Sequence, residues 1–222
     1  WKKHSIHSKN LTMNLNIGDS NIQRTHDFFY LKNDKNQPPK ECFVQIANLI
    51  KKYLNSKIKN KDKMIIVDIG CAAGEFPGYL QLRFPNCRIE GYEYLKELLE
   101  VASINYPKVN FKQATIFDIN AIKNSSCDVI TLCGVLSIFD DIEPIIKNLS
   151  FWIKPGGKLF LFGAFNPNEI DVFIKYRYSK DYGINKYESG WNIVSQKTIS
   201  NLLYLYGAKN INFHEFDLSM DL

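Results

Sequence analysis

Met64-Ile65-Ile66-Val67-Asp68-Ile69-Gly70-Cys71-Ala72-Ala73-Gly74-Glu75 joins a short apolar run to a turn bounded by two glycines. The run Met64 to Ile69 is nearly continuous in apolar residues, the pattern of a strand buried on both faces. Gly70 and Gly74 let the backbone turn sharply and approach a ligand with no Cβ in the way. A helix over Glu75 to Phe84 follows, with Pro77 in the first turn, where proline is tolerated. Its opening N–H groups face back toward the turn. A tight connection with no ligand has the same local sequence, so these residues establish a strand–turn–helix unit and leave its use open.

Working outward, the alternation continues. Cys87 to Glu93 reads as strand, Leu95 to Asn105 as amphipathic helix, Val109 to Gln113 and Asp128 to Cys133 as strands. Asp140 to Ile153 reads as helix ended by Pro155-Gly156-Gly157, Lys158 to Gly163 as strand. Ser195 to Tyr206 is a helix with Ser195 as N-cap and Gly207 as its stop, and Asn210 to Phe216 is a last strand. Upstream, Pro38-Pro39 opens a helix whose apolar residues recur at helical spacing from Glu41 to Tyr53, and Asn60 to Lys63 is a charged turn. Such alternation predicts a three-layer α/β sandwich: a mostly parallel, seven-stranded sheet with helices on both faces. Ligand loops then gather at the C-terminal strand ends. Residues 1–40 read as a helical or irregular N-terminal lid, 41–222 as one domain, and about 164–194 as an insertion over the substrate.

Composition narrows the class. With 45% hydrophobic residues and 14% aromatics in 222 residues, the chain is no disordered segment. It has no apolar run of membrane-spanning length and no signal-peptide core. Five cysteines (Cys42, Cys71, Cys87, Cys127, Cys133) and no C-x-x-C pair point to reduced thiols in a cytoplasmic protein. The four histidines sit at no metal-ligand spacing, so no metal is expected. Residues 1–63 hold 13 Lys/Arg against 5 Asp/Glu, a basic segment that suits an anionic ligand, RNA, or merely a solvated face. The chain opens on Trp1 and closes on Ser219-Met220-Asp221-Leu222, and both ends read as cuts rather than natural termini.

The second strand sharpens the reading. It ends in Gly91-Tyr92-Glu93-Tyr94, and Glu93 lies 23 residues beyond Gly70, the spacing at which a carboxylate meets a ribose diol in a nucleoside-binding α/β unit. A carboxylate offers several lone pairs to two vicinal hydroxyl donors. The alternative is a Glu that caps the next helix.

Taken together, Ile65 to Gly74, Glu93, Phe117-Asp118, Cys127-Asp128-Val129-Ile130 and Ile153-Lys154-Pro155-Gly156-Gly157-Lys158-Leu159 resemble the class I S-adenosylmethionine-dependent methyltransferases. The resemblance runs from about residue 40 to 217. It implies that S-adenosylmethionine is the cofactor and S-adenosylhomocysteine the product. Gly70, Cys71 and Gly74 would pack against the methionine portion, Asp68 would orient the turn or hold the amino group, and Glu93 would bind the ribose with Tyr94 beside the adenine. Thr115 and Ile116 would meet the adenine; Cys133 and Gly134 would face the carboxylate or sulfonium. Two departures stand out. Ala72 replaces the usual central glycine, and Thr115 an acidic adenine contact, a role to which Asp118 is then the alternative.

On the acceptor side, Cys133-Gly134-Val135-Leu136 lacks the Asn/Asp-Pro-Pro-aromatic signature of base-amine methylation. Arg177, flanked by tyrosines that include Tyr178, suits a phosphate or carboxylate, and Trp191 and Asn192 complete a substrate-binding set. A helix packing an aromatic face through Val172, Phe173 and Tyr176 is the alternative. His26, with Tyr30, is the candidate catalytic pair, His26 as general base near neutral pH; His214 is a weaker candidate. The expectation is methyl transfer, preferably to oxygen, on a small, polar, anionic metabolite, with no membrane and no nucleic-acid partner. The rivals are an RNA or protein methyltransferase, an NAD oxidoreductase, and a non-catalytic nucleotide-binding module.

Overall fold

The computed structural model describes residues 25–32, 37–57, 64–184 and 187–216. The charged turn at 60–63 and most of the basic N-terminal segment lie outside these residues.

The central sheet is built from β1 (Ile65–Ile69), β2 (Arg88–Glu93), β3 (Asn110–Gln113), β4 (Cys127–Cys133) and β5 (Ile153–Phe162). Its order is β3-β2-β1-β4-β5 and every pairing is parallel. The helices are α1 (Glu41–Ser56), α2 (Glu75–Arg83), α3 (Lys96–Asn105), α4 (Glu143–Trp152) and α5 (Gln196–Leu205). Alternating side chains along each strand explain layers on both faces. Ile66 and Val129 turn to α1 and α2 and pack with Ile46, Ile50, Phe76 and Leu80. Val67, Ile130 and Leu132 turn the other way, onto Ile145, Leu149, Trp152 and Ile199. β1 lies between β2 and β4, so the strand order reverses there and opens a crevice at the C-terminal strand ends.

Two expectations are corrected. Residues 210–216 form no strand, and among the described residues the main sheet has five strands rather than seven. This segment is held by ring packing, Phe216 on Phe162 of β5 at 5.8 Å and Phe213 on Phe165 beyond the end of β5 at 6.1 Å, with no backbone ladder. Pro155-Gly156-Gly157 also lies inside β5 instead of preceding it. The register jumps from Cys127↔Ile153 to Val129↔Lys158, so the extra residues bulge, with Gly156 at φ +76. Lys154 pins the bulge to Asp128 at 2.7 Å, and Tyr53 donates to the Gly156 carbonyl at 3.0 Å.

After β5 come two small sheets. β6 (Phe165–Asn166) pairs in parallel with β9 (Val194–Ser195), and β7 (Lys175–Tyr176) pairs antiparallel with β8 (Glu188–Ser189). The helical alternative for Val172 to Tyr176 is therefore not what forms. Ser195 caps α5 by accepting from Thr198 N at 3.0 Å. No described helix is long and apolar enough to cross a membrane.

Candidate functional site

The turn after β1 is held by β2. Gly70 N and Cys71 N both donate to the Tyr92 carbonyl, at 2.8 and 3.1 Å. Gly70 has φ +69, and an added Cβ would lie 2.5 Å from Val135 Cγ2, so this position needs glycine on both counts. Ala72, the departure from the family pattern, takes the left-handed conformation at φ +48. Its N–H donates to Glu93 Oε2 at 3.0 Å. The other Glu93 oxygen accepts from Tyr94 N at 2.7 Å and Leu95 N at 3.0 Å. Glu93 thus ties the two strand tips together. Burial pushes its carboxyl above the ordinary range, and these three backbone donors oppose the rise.

Asp68 lies one step below the turn and is 2% exposed. Thr131 of β4 donates to its Oδ1 at 2.6 Å. Burial pushes its carboxyl up to about 7, the Thr131 bond opposing and the Glu93 charge adding to the rise. Cys71 and Cys133 are driven well above the ordinary thiol range by burial, so both remain neutral thiols rather than nucleophiles.

These groups border a cavity of about 340 Å³, the size of a small-molecule site. Asp68, Gly70, Cys71, Glu93, Tyr94, Thr115, Ile116, Cys133, Gly134 and Tyr30 lie on its wall. Gly134, at φ +74, has open space where a Cβ would sit. Asn148 donates to the Ile116 carbonyl at 2.8 Å and fixes the loop after β3.

Several expected residues lie elsewhere. Gly74 is off the wall: it starts α2 at φ +84, where an added Cβ would meet Ala102 and Phe111 at 2.8 Å. Asp118 is also off the wall and instead caps a 3-10 turn by accepting from Asn120 N. Arg177 does not border the cavity; its guanidinium sits over the rings of Tyr182 and Tyr187, at 4.9 and 5.4 Å, and not in the grip of its sequence neighbours. Tyr178 packs on Tyr176. Asn192 is a buried staple: it accepts from Ile174 N at 2.8 Å and donates to Phe139 O and Asp140 Oδ1, at 3.1 and 3.0 Å. That use engages both of its amide hydrogens. His26 is likewise off the wall, its ring against Phe29, Tyr30 and Trp191. His214 is exposed.

The N-terminal stretch around His26 is a candidate wall by sequence, and Asp27 and Tyr30 of it do line the cavity; sequence reasoning missed Lys40, Phe43 and Glu75, all on the wall. The signal for Lys40 was Pro38-Pro39, which places it at the cap of α1. Its ammonium pairs with Glu75 at 3.0 Å and lies over the rings of Tyr30 and Phe43. Asp27, Asp68, Glu75 and Glu93 outweigh this one cation among the described wall residues. An acid-rich wall fits a ligand with a net positive charge, as S-adenosylmethionine has with its sulfonium, ammonium and carboxylate. The open face of Gly134 and the first-turn N–H groups of α2 leave room and donors for its methionine end.

Residues 67–161 match the family model for a methyltransferase domain. The chain is 32% identical over 131 residues to a malonyl-[acyl-carrier protein] O-methyltransferase of Halalkalibacterium halodurans, with 56% of this chain and 48% of that protein covered. It therefore spans just under half the length of that relative. It is 28% identical over 191 residues to a ubiquinone biosynthesis O-methyltransferase of Coxiella burnetii, covering 77% of this chain and 78% of that protein. The fold is shared with an S-adenosylmethionine-dependent methyltransferase from Mesorhizobium loti, with a TM-score of 0.55 at 14% identity, over 76% of this chain and 84% of that one. The matched residues carry the strands and turns that wall the cavity, so the cavity lies in a segment that matches a methyltransferase domain and shares its fold with an S-adenosylmethionine-dependent methyltransferase.

Proposed function

We propose that this protein transfers a methyl group from S-adenosylmethionine to an oxygen atom of a small acceptor with a polar, anionic head. The observation that carries the reading is the acid-rich wall built around Glu93 at the tip of β2. When bound, S-adenosylmethionine supplies an electrophilic methyl group on a positively charged sulfur. Glu93 uses three of its roughly four lone-pair positions on backbone donors. The remaining position faces a cavity and suits a ribose hydroxyl. Thr115 and Ile116, beside Tyr94, border the adenine end, and Gly70, Cys71 and Gly134 the methionine end.

We assign the acceptor to the wall residues Tyr30, Lys40, Phe43, Ile138, Phe139 and Phe162. Lys40, in place of Arg177, is the cation among the described wall residues; it is paired with Glu75, so an anionic head would share it with that carboxylate, and Tyr30 is the hydroxyl near it. A carboxylate or acidic hydroxyl arrives with its attacking oxygen already deprotonated, so holding it in line is the main task of the wall. Both relatives named above are O-methyltransferases by name, which supports oxygen as the acceptor atom.

Calorimetric titration with S-adenosylmethionine, S-adenosylhomocysteine and NAD tests the cofactor half. Wild type is expected to bind the first two and not NAD. Binding should weaken in Glu93→Ala and in Gly134→Val, which pushes a branched side chain into open cavity. NAD binding in their place, or unchanged affinity in both variants, would overturn the proposal. A metabolite screen read by mass then identifies the methylated product.

A further inference from the structure

We propose that the acceptor is an amphiphile, whose oxygen-bearing head enters the cavity while an apolar chain or ring system lies along an aromatic strip outside it. This rests on the methyl-transfer reading and adds the acceptor's chemical class.

The strip begins on the cavity wall. The Tyr30 ring meets His26 edge-on at 5.9 Å, His26 meets Trp191 at 5.3 Å, and Trp191 meets Tyr176 at 4.8 Å. The rings run without a break from the wall onto the surface of the insertion. The strip is open at Phe29 beside His26, 54% exposed, and at Trp191, 49% exposed, while His26, Tyr30 and Tyr176 are half-buried. Exposed aromatic surface joined to a cavity wall by packed rings is suited to binding an apolar group.

Trp191 is also held against its own backbone preference. Its φ is +59, a conformation costly for a bulky residue, although Gly190 stands next to it. The Asn192 staple enforces it, since Asn192 N donates to Ser137 O at 2.8 Å and the amide is locked on both sides. Strain maintained by its surroundings clusters at ligand clamps. Here it keeps a half-exposed indole joined through His26 to Tyr30 on the cavity wall. Inside the cavity the wall assigned to the acceptor is already apolar, through Phe43, Ile138, Phe139 and Phe162. A membrane or second copy laid flat on the strip would obstruct exchange with the cavity, whereas a tail lying on it leaves the head in place.

Methyl, octyl and dodecyl gallate test the proposal as probes, since they share a phenolic head and differ only in tail length. Each is titrated into the S-adenosylhomocysteine complex of wild type and of Trp191→Asn, because asparagine tolerates the left-handed backbone. A buried methylene is worth about fourfold in affinity, so octyl should bind at least about tenfold tighter than methyl gallate. Trp191→Asn should lose most of that gain while binding S-adenosylhomocysteine normally. Affinity independent of tail length, or a tail effect untouched by the substitution, overturns the proposal. So does co-sedimentation with phosphatidylglycerol vesicles, or self-association by light scattering, if either is abolished by the same variant. Failure of wild type to bind S-adenosylhomocysteine would instead strike the methyl-transfer reading.

Discussion

Asp68→Asn separates the charge of the buried carboxylate from its shape. Asparagine is nearly isosteric, and its Oδ1 can still accept the Thr131 hydroxyl that Asp68 accepts at 2.6 Å. The ordinary aspartate value is 3.8, and burial lifts Asp68 to about 7. In the unfolded chain the carboxyl ionises near its ordinary value, while in the folded chain it keeps its proton until near neutrality. The folded state therefore binds more protons in between, and stability falls as pH rises through that window. The favourable contribution is complete below 3.8 and gone above about 7. A gap of about three pH units, at about 1.4 kcal/mol each, sets an upper limit of about 4 kcal/mol. Asparagine has no such loss. The variant should match wild type only below about pH 3.8, gain on it steadily as pH rises, and exceed its stability by up to about 4 kcal/mol at about pH 8. Glu90, Asp140 and Asp171, whose pKa values are lowered, act in the opposite direction at more acidic pH and cancel between the two proteins. Urea unfolding across this range measures the difference. A difference that is flat with pH, or that grows toward acid, refutes the reasoning. The same charge predicts ligand behaviour: cationic S-adenosylmethionine should bind wild type more tightly as pH rises through neutrality, with proton release. Asp68→Asn should show neither effect.

Other perturbations follow from particular contacts. Gly70→Ala adds a Cβ 2.5 Å from Val135 Cγ2 at φ +69, so it should cost about 3 kcal/mol or more, with partial rescue by Val135→Ala. Gly134→Ala has a similar φ but open space around the new Cβ, so its stability cost should be only about 1–2 kcal/mol while cofactor affinity drops; thermal unfolding and calorimetry distinguish the two. Asn192→Ala removes three hydrogen bonds of a residue that is 2% exposed and should cost about 3 kcal/mol. Hydrogen exchange should then quicken across 172–192 and leave β1 and β4 protected. Lys112→Met leaves Glu90 buried without the ammonium at 2.8 Å. Because Lys112 is partly exposed, the loss should be about 2 kcal/mol at neutral pH, shrinking in acid as Glu90 protonates.

The sequence carried the strand–turn–helix signals on a local scale. Apolar runs of strand length, helical spacing from Glu41, and a serine cap at Ser195 each depend on neighbours within a few residues, and each appears where those signals place it. Glu93 was legible as the acidic strand tip because the crossover length fixes its spacing from Gly70. The expected last strand failed because alternation shows only that a segment can pair, not that a neighbour is there to pair with. At 210–216 the aromatic rings pack and no ladder forms.

The wall proposed for the acceptor was the least legible part. Arg177 reads as an anion grip beside Tyr176 and Tyr178, but the hairpin of β7 and β8 delivers its guanidinium to Tyr182 and Tyr187 instead. Lys40 reads as an ordinary helix cap, yet the packing of α1 on α2 brings it to Glu75 and the cavity. Local propensity and covalent spacing settle which elements form and which strand tips carry chemistry. Which side chains from distant segments share one cavity, which are consumed as staples like Asn192, and how far burial lifts Asp68 depend on long-range packing and the dielectric it creates. Those were decided only when the chain closed around β1 and β4.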